Sequence, residues 1–155
     1  MSRRVFLEVH KKSRTPLPLF YYIAKPLVEH PLGWGCFEVV DSVEQGSITV
    51  VLTPSGTLHD LFPEFKHHNL SVCDMVSRNI WINEDRWHGA AVNESKLPLN
   101  AYRAYVLQHE LGHALGKMHY SGESHSNELS PVMLQQTLGI GSFISNPFPR
   151  EDEKK

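Results

Sequence analysis

Cysteine is scarce in this chain of 155 residues: Cys36 and Cys73 are too few for a disulfide framework. Neither belongs to a Cys-x-x-Cys pair, so a reducing compartment is permitted. No run approaches the ~18 consecutive apolar residues that a membrane helix needs. The stretch Met1 to His10 also lacks the apolar core of a secretory signal. An intracellular, cytoplasmic chain with no membrane partner is therefore expected. Neither sign of charge dominates, with 15 Lys and Arg against 17 Asp and Glu, and there is no basic block. The long-range field typical of duplex-binding proteins is missing, and no nucleic-acid partner is expected. The remaining composition, 41% hydrophobic and 21% charged, excludes disordered and fibrous classes and suits one globular domain. Histidine, by contrast, is plentiful, with 10 residues.

Periodicity predicts a strand over Arg4 to His10 and a helix over Leu19 to Val28, kinked at Pro26. Strands over Cys36 to Val43 and Ser47 to Thr53 follow. A β-α-β-β beginning argues for a mixed sheet with a covering helix, an α+β arrangement. Pro54 to Asn69 reads by composition as a surface loop that could contain a short helical turn. Leu70 to Val76 and Asn79 to Asn83 read as a hairpin, one strand of it at a sheet edge. After a polar connector from Trp87 to Pro98, Asn100 opens the longest helical pattern, which ends at Gly116. Residues 1–149 are expected to form a single domain, with 150–155 as a charged flexible tail and a monomer as the default state.

On that long helix, His109-Glu110-Leu111-Gly112-His113-Ala114-Leu115-Gly116-Lys117-Met118-His119 matches H-E-x-x-H-x-x-G-x-x-H at every fixed position. At ~100° per residue, His109 and His113 stand ~40° apart around the axis and one turn apart along it, so both imidazoles can converge on one ion. If the helix continued, His119 would lie a further ~240° round and point away. Gly116 supplies the break, because glycine takes a left-handed C-terminal conformation without steric cost and turns the chain back under the ion. Three histidines leave the fourth tetrahedral position of one Zn²⁺ to water, the pattern of a catalytic site and not of a closed structural one. Glu110 is the expected general base: it takes a proton from the zinc-bound water and returns it to the leaving amine, while zinc polarises the scissile carbonyl. The apolar stripe of Ala104, Leu107, Leu111, Ala114 and Leu115 is expected to anchor the helix in the core.

These residues make the chain resemble the metzincin metallopeptidases. The resemblance implies a methionine turn beneath the metal, for which Met133 in Ser130-Pro131-Val132-Met133 is the candidate, as a hydrophobic floor and not a ligand. Over nearly its whole length the chain is also similar to a small bacterial family of predicted zincin-like domains of undefined role. That second resemblance runs through Pro31 to Trp34, Asn83 to Gly89, the histidine motif, Pro131 to Thr137 and Asn146 to Pro149. It implies a zincin-like, five-stranded mixed twisted sheet with an antiparallel edge strand at Leu70 to Val76, a backing helix and an active-site helix. The domain would divide into an upper part, 1–116, and a lower part, 117–149. A peptide or protein substrate in extended conformation would lie along the edge strand. Gln135 stands where some relatives carry a metal-proximal tyrosine, so that group is not carried over; Tyr120 is read as a packing residue, with substitution for that tyrosine as the alternative. Cys36 and Cys73 would lie near opposite sheet edges as free thiols.

His59 with His67 and His68 makes a poor second metal site, because adjacent histidines in a polar loop point to different sides. His88 and His125 read as solvated loop residues, and Asp85-Arg86-Trp87 as a structural pairing. The expected function is zinc-dependent endopeptidase. One alternative is a metal-dependent endoribonuclease with H-x3-H-x5-H spacing, against which Glu110 and the acidic balance argue. The other is a catalytically silent, zinc-containing peptide-binding module.

Overall fold

Alternating apolar residues put Val5 and Leu7 on one buried face of β1 (Arg3–Val9), the strand from which the sheet is built in a computed structural model describing residues 3–65, 70–91 and 93–155. α1 (Leu17–Val28) follows, with prolines at its start and Pro26 inside it, and buries Phe20, Ala24 and Val28. β2 (Phe37–Val40) and β3 (Ile48–Thr53) flank β1 in parallel. β3 is apolar on both faces and sits at the centre, as a doubly covered strand must. β4 (Val72–Cys73) and β5 (Ile80–Asn83) complete the order β2-β1-β3-β5-β4, with β5 parallel to β3 and β4 antiparallel to β5. The architecture is α+β, with a five-stranded mixed sheet whose antiparallel edge strand is β4.

The expected loop from Pro54 onward instead begins with α2 (Ser55–Leu61), followed by a single 3-10 turn over Pro63–Phe65. Its Gly, Pro and His content hid a short helix held by one buried side chain, Leu58. The grouping of His59 with His67 and His68 as a second metal site falls partly outside the described residues, which leave out His67 and His68. α3 (Glu84–Trp87) starts where the Asn83 side chain accepts a hydrogen bond from the Arg86 amide at 3.0 Å, and it buries Trp87 edge-on against Phe20. α4 (Leu99–Ala114) packs against α1, β4 and β5. Among the described residues, no helix is long and apolar enough to cross a membrane.

The expectation of a flexible tail at 150–155 is corrected. Glu151–Lys154 form a 3-10 turn, and the Glu153 carboxylate accepts hydrogen bonds from the backbone amides of Val132 and Met133 at 2.9 and 3.0 Å. Lys117 Nζ donates to the Lys155 carbonyl at 3.0 Å, and Arg150 Nη1 to the Leu129 carbonyl at 3.1 Å. A run of charges reads as solvated because sequence does not disclose the backbone amides elsewhere that lack a partner until a carboxylate reaches them.

Candidate metal centre

α4 is buried almost all round, more than its apolar stripe implied. Tyr102, Ala104 and Leu107 face the core, but so do Gln108, His109 and Glu110. The polar face is covered by the segment after the helix, and by Trp34, whose indole N–H donates to the Gln108 carbonyl at 2.8 Å. Gln108 Nε2 in turn donates to the Leu27 carbonyl at 2.8 Å, which ties α4 to the end of α1. A site built on such a helix is held by the core and not by loop conformation.

The helix ends as expected. Gly116 has φ +91°, its amide bonds the His113 carbonyl at 2.8 Å, and the Lys117 amide bonds the Gly112 carbonyl at 2.9 Å. Those two bonds make a Schellman turn, which satisfies the last carbonyls of the helix. The same turn places the Lys117 carbonyl 2.8 Å from His113 Nδ1. His109 Nδ1 lies 2.7 Å from the Val132 carbonyl. A carbonyl only accepts, so each of these Nδ1 atoms carries the proton and each Nε2 presents a lone pair.

Those lone pairs meet His119. His113 Nε2 and His119 Nε2 are 3.0 Å apart, and the ring centroids of the three histidines are separated by 4.6 to 5.2 Å. One nitrogen from each of His109, His113 and His119 lies within 4.8 Å of the others. Three nitrogens at ~2.05 Å from a tetrahedral zinc would stand about 3.3 Å apart, so the donor set fits such an ion. Burial lowers the pKa of all three, and brings His109 down to about 3, which keeps the imidazoles neutral as ligands must be. His109 is buried, His113 half-buried and His119 exposed, so the trio opens to solvent on one side.

Glu110 lines the same cleft, of about 480 Å³. Its carboxyl is buried, its Oε2 has no hydrogen-bond partner among the described residues, and burial raises its pKa to about 8. A buried carboxyl whose oxygen lacks a partner among the described residues, beside three converging histidines, is an arrangement that folding alone would not select. The cleft is walled by Val72 and Cys73 of β4 on one side and by Tyr102, Tyr105, Val106 and Leu138 on others. Burial, and then the nearby Glu110, push the Cys73 thiol up to about 12, so it lines the cleft as a protonated, weakly polar group. Cys36 precedes β2 at the opposite edge of the sheet, and both cysteines are free.

Met133 is buried beneath the motif and lies against Gly112. The loop that carries it is held from two sides. Gln136 and Asn146 exchange two hydrogen bonds at 2.7 and 3.0 Å, and Asn146 Nδ2 donates to the Ser130 carbonyl at 2.9 Å. Glu153 bonds its amides from beneath. Tyr120 is outside the cleft lining: its hydroxyl donates to the Glu123 carbonyl at 2.7 Å and its ring packs on Phe143. Gln135 does line the cleft. His88 Nε2 meets the Thr15 hydroxyl at 2.8 Å, and His125 packs against Phe143, so neither joins the trio.

The structure brings together the residues that the sequence singles out, the three histidines, Glu110, Gly116 and Met133, with supports that the sequence did not single out. Gly112 had a visible signal, a glycine in the middle of a helix. The Val132 and Lys117 carbonyls had none, since every residue carries one. Comparison with known proteins adds one result: a family model described as a protein of unknown function, DUF3152, matches residues 29–150. No curated protein and no solved structure matches.

Proposed function

Since the chain belongs to the DUF3152 family, whose function is not defined, its activity has to be inferred from the site, and we propose that it is a zinc-dependent endopeptidase of metzincin type. One observation carries this reading. Two histidines have their Nδ1 protons committed to carbonyls, so their Nε2 lone pairs converge with His119, and beside them lies a buried carboxyl with an unpartnered oxygen.

His109, His113 and His119 would hold the ion. When bound, zinc supplies Lewis acidity toward a peptide carbonyl and makes water acidic enough to attack near neutral pH. Glu110 does the proton transfer. Its Oε2, free of other partners, accepts a proton from the attacking water and passes it to the amine that leaves. Burial makes this carboxyl a better base than a solvated glutamate, and a nearby cation would favour its ionised form. Lys117 and Val132 orient two of the ligands through their carbonyls. Met133 fills the floor under them.

The substrate is an extended peptide. Among the described residues β4 is a sheet edge, to which a further strand could add, and Val72 and Cys73 bring that edge to the cleft. Apolar walls at Tyr102, Tyr105 and Leu138 favour apolar side chains near the bond that is cut.

The test is metal content together with cleavage of an unstructured protein such as casein. The wild-type chain should hold one zinc and cleave. Glu110→Ala should hold zinc and lose roughly 10²–10⁴-fold in kcat. His113→Ala should lose both. Full activity in Glu110→Ala would overturn the mechanism, and a wild-type chain that takes up no zinc would overturn the reading itself. Zinc in all active-site-intact forms with no cleavage by any would favour the peptide-binding module.

A further inference from the structure

We propose that Glu153, in the C-terminal 3-10 turn, is a positioning residue that acts on the metal site through a single peptide group, Val132–Met133. The part of this inference that concerns metal rests on the proposed function; the hydrogen-bond relay does not.

The relay is defined by which atoms share an amide. Glu153 Oε2 accepts the Met133 N–H at 3.0 Å. The carbonyl of that same peptide unit is the Val132 carbonyl, which accepts His109 Nδ1–H at 2.7 Å. A planar, conjugated amide transmits polarisation from one end to the other. A carboxylate on its N–H makes the carbonyl oxygen more negative, and so a stronger acceptor for the imidazole. His109 Nε2 becomes a better donor to a cation, and its ring orientation is fixed. Histidines that bind metals commonly bond a carboxylate directly. Here the carboxylate is one peptide removed.

Geometry separates this from ordinary capping of a loop. Glu153 Oε1 also accepts from the Val132 and Arg150 amides, each at 2.9 Å, so the side chain is held from three directions and cannot swing off the amide. The neighbouring Asp152 pairs with Arg150 and reaches no amide of the methionine loop. His113 provides an internal comparison: its Nδ1 also meets a carbonyl, that of Lys117, at 2.8 Å. In that case no carboxylate bond to the following amide accompanies it among the described residues.

The experiment uses the full chain with Glu153→Gln, and Asp152→Asn as the control. Gln keeps an acceptor for one side of the loop but sets an NH₂ group against an amide N–H. Zinc affinity by chelator competition should fall about 10–100-fold in Glu153→Gln and stay at the wild-type value in Asp152→Asn. The His109 Nδ1–H proton resonance should move upfield in Glu153→Gln, while that of His113 stays in place. Unchanged affinity with an unmoved His109 resonance would overturn the relay. If Glu153→Gln does not fold, the wild-type chain decides: its His109 Nδ1–H should resonate downfield of His113 Nδ1–H, and coincidence of the two would count against the proposal. A wild-type chain that binds no zinc would sink the function reading, yet the resonance comparison would still judge the relay.

Discussion

At the scale of single residues, the site depends on groups too small or too ordinary to stand out. Gly112 is the sharpest case. A Cβ at this position would meet Met133 Sδ and come within 2.8 Å of Trp34 Cζ2. Alanine in a helix interior gains about 1 kcal/mol over glycine, whereas overpacking a filled core costs about 1–3 kcal/mol. The methionine can shift but the indole is pinned by its bond to the Gln108 carbonyl, so the cost wins. Gly112→Ala should lower Tm by a few degrees, whereas Gly56→Ala in α2, where a Cβ meets nothing within 4 Å, should leave Tm unchanged or raise it. Thermal melts of the two variants check the opposite signs. The histidines and Glu110 were legible in the sequence because the proposed chemistry would need those side chains at that spacing. Gly112 was not singled out, because its constraint comes from Trp34 and Met133, which are remote in sequence.

At the scale of elements, the end of α4 does two jobs. The turn at Gly116 releases His119 from the helix direction, which spacing alone predicted. It also swings the Lys117 carbonyl onto His113 Nδ1, which spacing could not show. Gly116→Ala places a Cβ at φ +91°, a strain of about 1–2 kcal/mol for an L-residue. Relaxing that strain moves Lys117. Zinc affinity should therefore fall about tenfold or more while Tm drops only a few degrees, a disproportion that chelator competition and a thermal melt would detect together. Elsewhere, long periodic elements were read correctly to within a few residues. α2 was anticipated only as a possible short helical turn, because a seven-residue helix with one buried side chain carries little periodicity. β4 shrank to two residues for the same reason: an edge strand has one partner, and its pairing ends where the chain turns at Asp74.

At the scale of the whole molecule, contacts between distant segments hold the two ends of the fold. The loop after β1 is fastened to α3 by Glu84, a buried carboxylate that accepts from the hydroxyls of Ser13 and Thr15, the latter at 2.6 Å. Burial raises the Glu84 pKa, but those hydroxyl bonds, the Arg14 amide and the Arg14 charge together outweigh it and hold the group below its usual 4.5. A folded pKa below the unfolded one means stabilisation that is fully present above about pH 4.5 and is lost as pH falls through the depressed value. Glu84→Gln should cost about 1.5–3 kcal/mol at neutral pH, and the gap from wild type should narrow at an acidic pH below 4.5. Denaturant melts at the two pH values test this. A gap that persists at low pH would mean that shape, and not charge, is what Glu84 contributes.

The eleven-residue motif, the helix under it and the glycine that ends it were determined by sequence alone, since helical periodicity and ligand spacing are local properties of a chain. So were the α+β class and the presence of an edge strand within Leu70 to Val76, although only Val72–Cys73 pair as strand. Tertiary structure decided which carbonyls orient His109 and His113, why Gly112 has to be small, and that the charged C-terminal residues bind the methionine loop instead of fraying. Each of these is a meeting of groups far apart in the chain, several of them backbone atoms common to every residue. A backbone carbonyl acquires its role only from what folding brings beside it.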